Sequence, residues 1–246
     1  MTESSLSKSP DRIAGMFDAI AGRYDLLNHV LSAGIDRRWR RLAIQALALS
    51  GSERVLDLCT GTADLAIAAR AMAPGARVVG VDFADAMLRV GLAKLRRGGL
   101  DRAVSLVRGD ATRIPIADQS VDAVTIAFGI RNVEQPAAAC GEIHRVLRPG
   151  GRLAILEFAI PTTPIVRAGY LAYFKYILPR IGRVISRHSS AYGYLPASVG
   201  AFASPAEFMT ILRQQGFVQV RAVPLTFGIV YLYTARRDGK PEGGKS

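Results

Sequence analysis

Short apolar runs alternate with longer amphipathic stretches through the middle of this chain. The apolar runs are rich in Val, Ile and Leu and have the length of buried strands. They are Arg54–Leu58, Arg77–Asp82, Val104–Gly109, Val121–Phe128 and Arg152–Phe158. The stretches between them, which include Ala84–Arg97 and Pro136–Leu147, have helical spacing, and the second ends at a Pro-Gly-Gly turn over residues 148–151. This alternation predicts a doubly wound α/β fold with a mostly parallel sheet.

The flanking segments predict additions to the sheet rather than a second domain. We expect a single domain over residues 11–237, between flexible tails at residues 1–10 and 238–246. A helical cap is predicted over about residues 11–50, and a helical insertion that covers the site over about residues 160–203. The last predicted elements are a helix, Pro205–Gln215, and two strands, Phe217–Val223 and Ile229–Arg236, with an antiparallel strand among them.

Composition fits a packed globular protein, because 50% of the residues are hydrophobic and 21% are charged. No apolar run reaches the ~18 residues of a membrane-spanning helix, and the polar start does not resemble a secretory signal. The two cysteines, Cys59 and Cys140, cannot form a disulfide framework and lack metal-ligand spacing. We therefore expect a cytoplasmic protein without a metal site. The net charge of +12 indicates either an anionic partner or general solubility.

Three acidic residues stand at the ends of successive predicted strands. Asp57 opens the turn Asp57–Asp64, which contains Gly61 and Thr62 but lacks the G-x-G-x-x-G pattern that binds a pyrophosphate. A carboxylate there repels phosphate and suits the cationic methionine part of S-adenosylmethionine. Asp82 ends the second strand, where an acidic residue can accept both ribose hydroxyls.

The third acidic residue is Asp110, followed by Ala111, where a carboxylate can hold the adenine amino group. Each of the three alone can be a helix cap. In register at neighbouring strand ends, however, they predict one pocket for S-adenosylmethionine.

The turn resembles the first motif of the class I methyltransferases, D-x-G-x-G-x-G, which implies their Rossmann-like fold. Cys59 and Ala63 stand where glycine is common in that motif. Because both side chains are small, we expect a slightly reshaped loop rather than a lost site.

A narrower resemblance covers about Met16 to Arg236. The stretches that carry it are Tyr24-Asp25-Leu26-Leu27-Asn28, Phe128-Gly129-Ile130-Arg131-Asn132-Val133, Arg145-Val146-Leu147-Arg148-Pro149-Gly150-Gly151, Tyr192-Gly193-Tyr194-Leu195 and Leu225-Thr226-Phe227-Gly228. They are similar to the UbiE/MenG family of quinone-biosynthesis C-methyltransferases. Asp36 and Ala127 depart from it, standing where relatives have His and often Ser.

The resemblance implies C-methylation of a polyprenylated quinol: demethylmenaquinol in the first place, with 2-methoxy-6-polyprenyl-1,4-benzoquinol of ubiquinone synthesis as the alternative. It implies cofactor roles for Thr62, Asp82, Asp110 and Ala111. It also implies that Arg131 stabilises a phenolate while Asn132 orients the hydroxyl or a water.

Each of these site assignments has a purely structural alternative. Arg131 can pair with a structural carboxylate and Asn132 can make a turn. Aromatic residues in helical stretches are more often core than site, and His29 is a weaker candidate for a base. With that alternative open, we expect four residues to close the substrate pocket: Tyr24, Asn28, Tyr192 and Tyr194.

The segment Pro164–His188 holds five basic residues and no acidic one among many apolar side chains. Such a composition favours either a helical cover against anionic lipid or an ordinary lid helix, and dimerisation through it is open. A nucleic-acid methyltransferase would also explain the charge, but the fourth strand ends in Phe-Gly-Ile-Arg-Asn rather than an N-P-P-[YF] clamp, so no nucleic-acid partner is expected. A non-catalytic cofactor-binding scaffold is the remaining alternative.

Overall fold

The computed structural model describes residues 8–178, 180 and 189–239, and the side chains of residues 189–192 lie outside this description. The helices are α1 (Pro10–Ile20), α2 (Tyr24–Leu31), α3 (Asp36–Leu47), α4 (Asp64–Met72), α5 (Asp85–Arg97), α6 (Pro136–Val146), α7 (Pro164–Ala172), α8 (Ser189–Gly200) and α9 (Pro205–Gln214). The strands are β1 (Arg54–Leu58), β2 (Arg77–Asp82), β3 (Val104–Arg108), β4 (Val121–Ala127), β5 (Leu147–Phe158), β6 (Phe217–Leu225) and β7 (Val230–Arg237). Shorter turns of 3-10 or π helix lie at Ala21–Arg23, Ile130–Asn132, Tyr173–Ile177 and Thr226–Gly228.

The seven strands form one sheet in the order β3-β2-β1-β4-β5-β7-β6. The pairs among β1 to β5 are parallel, whereas β7 is antiparallel to both β5 and β6. This confirms the predicted doubly wound, mostly parallel sheet with an antiparallel strand near the C-terminus. The strand order reverses between β1 and β4, which is where a sheet of this kind opens a crevice for a ligand.

Apolar side chains cover the two faces of the sheet. On one face α6 and α9 bury Ile143 and Phe208, and on the other α3 and α4 bury Leu47 and Leu65. Local signals start several of these helices. Pro136 and Pro205 stand in the first turns of α6 and α9, and Ser204 forms a reciprocal capping box with Glu207.

One strand boundary differs clearly from the sequence-based expectation. β5 begins at Leu147, because Val121 pairs with Leu147 and Ala123 pairs with Arg152. The predicted turn at residues 148–151 is therefore a bulge within the strand, with Gly150 at a φ of 77°. At the N-terminal end, α1 begins at Pro10, and Lys8 lines a cavity.

Within the described ranges, no single helix is both long and apolar enough to cross a membrane. The pair Gly193–Gly200 and Pro205–Gln214 passes the length and composition test together, but the two helices are bent by 66°.

Candidate active site

The loop after β1 has the backbone that the glycine-rich motif of relatives requires. Cys59, Gly61 and Ala63 have φ values of 54°, 55° and 67°, in the left-handed region that favours glycine. Cys59 and Ala63 are the two positions where the motif usually has glycine, so this chain keeps the conformation at the expense of backbone strain. Phe128, at the end of β4, also has a positive φ of 59°. Strained residues therefore cluster at the strand-order reversal.

A cavity of about 320 Å³ opens beside this loop. Gly61, Asp82, Asp110 and Ala111, all predicted for the cofactor, line it. The Asp82 carboxylate accepts the Gly61 N–H at 2.8 Å and the Ala84 N–H at 2.9 Å, so it holds the loop in place. Burial raises the pKa of Asp82. Carboxylate oxygens have further lone pairs, which leaves Asp82 able to accept ribose hydroxyls.

Asp110 is fixed by its own turn. Its Oδ1 accepts the Thr112 N–H at 2.8 Å and the Thr112 hydroxyl at 2.9 Å. The two carboxylates and the close backbone of the glycine loop suit an adenosyl group with free hydroxyls and an amino group. The residues present therefore fit S-adenosylmethionine.

Two predicted cofactor residues lie behind the cavity wall rather than on it. Asp57 is 1% exposed and accepts hydroxyl hydrogen bonds from Thr60 at 2.6 Å and Thr125 at 2.8 Å. Burial raises the pKa of Asp57 to about 6. Thr62 is also buried, and its hydroxyl donates to Asp25 on α2. Of the three carboxylates predicted to surround one pocket, Asp82 and Asp110 line this cavity, whereas Asp57 is buried and is not among its lining residues.

A second cavity of about 470 Å³ adjoins the first, and most of its lining is apolar. It lies among α2, α3, α7 and α8. Phe17, Tyr24 and Phe128 line both cavities. The crevice thus has a more polar compartment over the sheet edge, called the polar cavity below, and an apolar compartment under the cap, and the two meet at these aromatic rings.

Arg131 lines the apolar cavity, but its guanidinium is tied to the protein. It donates to Glu157 Oε1 at 2.7 Å, donates to the Phe128 carbonyl, and lies 5.4 Å from the centre of the Phe158 ring. Glu157 is fully buried. Arg131 therefore pairs with a structural carboxylate, as its purely structural alternative predicts. It also lines the apolar cavity.

Asn132 lines the polar cavity. Its amide nitrogen donates to the Phe128 carbonyl at 3.3 Å. Its Oδ1 is buried and accepts no hydrogen bond from any residue that the structure describes. A buried acceptor without a partner costs free energy unless a ligand or water satisfies it. Asn132 is therefore available to a bound molecule in a way that Arg131 is not.

Sequence comparison places the chain among known proteins. A model of the ubiE/COQ5 methyltransferase family matches residues 5–237. A ubiquinone/menaquinone biosynthesis C-methyltransferase of Syntrophotalea carbinolica is 49% identical over 91% of this chain and 93% of its own. A demethylmenaquinone methyltransferase of Thermus thermophilus is 46% identical over 90% of this chain and 100% of its own. The chain belongs to the ubiE/COQ5 methyltransferase family.

Solved structures agree with this family on the fold. A SAM-dependent methyltransferase of Aquifex aeolicus superposes with a TM-score of 0.57 at 19% identity, over 93% of this chain and 98% of that one. The [4+2]-cyclase SpnF superposes with a TM-score of 0.66 at 16% identity, over 92% and 95%, so the fold alone does not define a reaction. Family and fold together make the chain an S-adenosylmethionine-dependent methyltransferase.

In this ubiE/COQ5 methyltransferase, the residues predicted for the substrate pocket have different positions. Tyr24, Asn28 and Tyr194 line the apolar cavity, with Tyr24 also on the boundary between the compartments. Burial raises the pKa of Tyr24, against a hydrogen bond with Asn28 that lowers it. Tyr192 lies in α8, and its side chain is outside the described part. His29 contacts Asp36 through Nδ1 at 3.0 Å and is not among the lining residues.

Sequence reasoning missed several residues that line the apolar cavity. Val166, Tyr170 and Tyr173 line it from α7 and the π turn that follows. Their spacing of three to four residues places them on one helix face, a signal that the sequence carries. Sequence reasoning also missed Glu157, because nothing local shows that it pairs with Arg131.

Proposed function

We propose that this protein methylates a ring carbon of a polyprenylated quinol, with demethylmenaquinol as the preferred substrate. Relatives named demethylmenaquinone methyltransferase support this choice, and 2-methoxy-6-polyprenyl-1,4-benzoquinol is the alternative. One observation carries the proposal: the polar cavity that Asp82 and Asp110 line meets a larger apolar cavity at Tyr24 and Phe128. Such a pair of compartments fits a polar donor beside an apolar ring and chain.

On this proposal the polar compartment holds S-adenosylmethionine, which supplies an electrophilic methyl group on a cationic sulfur. Asp82 binds the ribose hydroxyls, Asp110 and Ala111 hold the adenine, and Gly61 lets the backbone approach closely. Asp57 and Thr62 act indirectly. Asp57 accepts a hydrogen bond from Thr60, and Thr62 donates one to Asp25, so both hold the loop in position. Asp57 also places a negative charge behind the loop, which favours a cationic ligand.

Arg131 and Asn132 are the proposed groups for activating the quinol. The cationic Arg131, held by Glu157 beside the apolar cavity, favours ionisation of a quinol hydroxyl to the phenolate, which makes the neighbouring ring carbon nucleophilic. Asn132 Oδ1 accepts a hydrogen bond from the hydroxyl or from a water that takes the proton. The apolar walls keep bulk water from competing with the ring carbon.

A membrane contact is proposed for the outer face of α7 and the π turn. Ile165 is 86% exposed and Ile177 is 48% exposed, and Arg167 and Lys175 lie on the same exposed segment. The opposite face of this segment lines the apolar cavity through Tyr170. The segment of α7 and the π turn can therefore cover the substrate with one face and contact an anionic surface with the other. The lid and the lipid-binding alternatives are thus compatible. The basic residues Arg183 and Arg187 lie outside the described residues.

Co-sedimentation with vesicles tests the membrane contact. We expect binding to vesicles with anionic lipid that falls with salt, and weaker binding for Ile165→Ser with Ile177→Ser. A second copy of the chain could use the same face, so the sedimentation coefficient is measured without lipid. Equal vesicle binding by the double variant and the parent protein would contradict the proposed membrane contact.

Turnover tests the proposed reaction. Purified protein is incubated anaerobically with S-adenosylmethionine and a one-prenyl demethylmenaquinol, and with the matching methoxy-benzoquinol, and products are followed by mass spectrometry. We expect one added methyl on the reduced naphthoquinol and none on its oxidised form, because the quinone ring carbon is not nucleophilic. Donor binding without methylation of either quinol would instead favour the cofactor-binding scaffold.

A further inference from the structure

Two tyrosines that line the apolar cavity have a buried hydroxyl group with no hydrogen-bond partner among the described residues. Tyr170 is 7% exposed, and its Oη is buried without a partner among the residues the structure describes. The same holds for the Oη of Tyr194, which lines the cavity from α8. A buried hydroxyl without a partner is unfavourable, and folded proteins rarely retain one.

Both hydroxyls lie in the electrostatic field of Arg131 and Glu157. Burial raises the pKa of Tyr170 and of Tyr194, whereas the charge of Arg131 acts on both in the opposite direction. Arg131 also interacts electrostatically with Tyr24. Arg131, Tyr170 and Tyr194 therefore all line the apolar cavity and interact electrostatically.

Other tyrosines of the same segment are different. The hydroxyl of Tyr173 donates to the Leu31 carbonyl at 3.1 Å, which ties the π turn to α2. Tyr176 is 51% exposed and is not among the residues that line the cavity. The unpartnered hydroxyls are thus not a general property of this segment.

We infer that Tyr170 and Tyr194 form an oxygen-binding subsite that positions one ring oxygen of the aromatic diol in the apolar cavity. This inference rests on the proposed function, and it makes the two tyrosines positioning residues. Each hydroxyl can donate to a ring oxygen, and can accept from a ring hydroxyl, so the site serves the diol and its phenolate.

Tyr170→Phe and Tyr194→Phe test the subsite because each removes one hydroxyl and keeps the ring. Kd is measured anaerobically, with S-adenosylhomocysteine present, for 2-prenyl-1,4-naphthalenediol and for 2-prenyl-1-naphthol and 3-prenyl-1-naphthol. We expect each variant to weaken diol binding about tenfold, the effect of one lost hydrogen bond. We expect no loss for the monohydroxy analogue that lacks the bound oxygen.

Stability gives a second and independent readout. Since neither hydroxyl has a partner in the part of the chain that the structure describes, both variants should keep or raise the melting temperature. Tyr173→Phe should lower it by a few degrees because it removes a formed hydrogen bond. Tyr176→Phe, the exposed control, should change neither the melting temperature nor any Kd.

The outcomes are distinguishable. Unchanged diol binding in both variants, or equal weakening of all three ligands, would overturn the subsite while the proposed function stands. A parent protein that binds S-adenosylhomocysteine but neither binds nor methylates the diol would overturn the proposed function first. Weaker diol binding, an unaffected analogue and an undiminished melting temperature together support the subsite.

Discussion

Arg131 and Glu157 form a buried ion pair between the turn after β4 and the end of β5, with Nη1 and Oε1 2.7 Å apart. Glu157 also accepts the backbone N–H groups of Arg131 at 3.1 Å and Phe158 at 2.9 Å. One carboxylate thus fixes both the position of the guanidinium and the two strand ends around it. The pair therefore fixes Arg131 at the wall of the apolar cavity.

Glu157→Gln should therefore destabilise the fold strongly. The amide removes a full charge and leaves Arg131 buried and uncompensated, which costs about 3–5 kcal/mol. Urea unfolding at neutral pH measures the change. Asp118→Asn is the matched control, because Asp118 pairs with Arg145 while its side chain is 72% exposed, and such pairs contribute about 0–1 kcal/mol. Similar losses in both variants would contradict the role assigned to Glu157.

Ionisation of Asp57 should lower the free energy of unfolding as the pH rises from about 4 to about 6. Burial raises its pKa to about 6 in the folded chain, against about 4 when unfolded. Because the folded pKa is the higher one, its contribution is fully present below pH 4 and is lost as pH rises through 6. The free energy of unfolding of the wild type minus that of Asp57→Asn should thus decrease over this window by about 2–3 kcal/mol. A difference that does not vary with pH would show that Asp57 is not shifted.

Gly129→Ala should displace the loop after β1, and adding Cys59→Gly should restore its position. A β-carbon at position 129 would lie 2.3 Å from the Cys59 β-carbon, which is closer than two non-bonded carbon atoms can approach. We expect a loss of about 1–3 kcal/mol and weaker binding of S-adenosylhomocysteine. Cys59→Gly removes the obstructing atoms, and its φ of 54° suits glycine. Calorimetry on both single variants and the double variant measures the coupling, and additive effects would contradict it.

Ala63→Gly should cost little, although glycine normally weakens helices. Ala63 has a φ of 67° at the start of α4, so glycine relieves backbone strain that offsets its larger loss of entropy on folding. We expect a change within about 0.5 kcal/mol of zero. Ala68→Gly, inside the same helix, should cost about 1 kcal/mol. Thermal unfolding of the pair checks this, and equal costs would mean that the loop carries no strain at position 63.

The sheet could be predicted from the sequence because its determinants are local. The apolar runs, their regular spacing and the small residues after β1 are all properties of neighbouring residues, and they specify a buried parallel sheet with a ligand at its edge. Asp82 and Asp110 follow from this, since the carboxyl ends of parallel strands meet at the edge of the sheet where a ligand binds.

The tertiary structure decided which side chains reach the cavities. Whether Asp57 faces the ligand or the sheet depends on its orientation in β1, and the pairing of Arg131 with Glu157 depends on contact between separate elements. The same is true of Tyr170, whose hydroxyl lacks a described partner only because of how α7 lies against the cap. Local patterns determine the elements and their order, whereas hydrogen-bond partners between distant residues are set only when the elements pack.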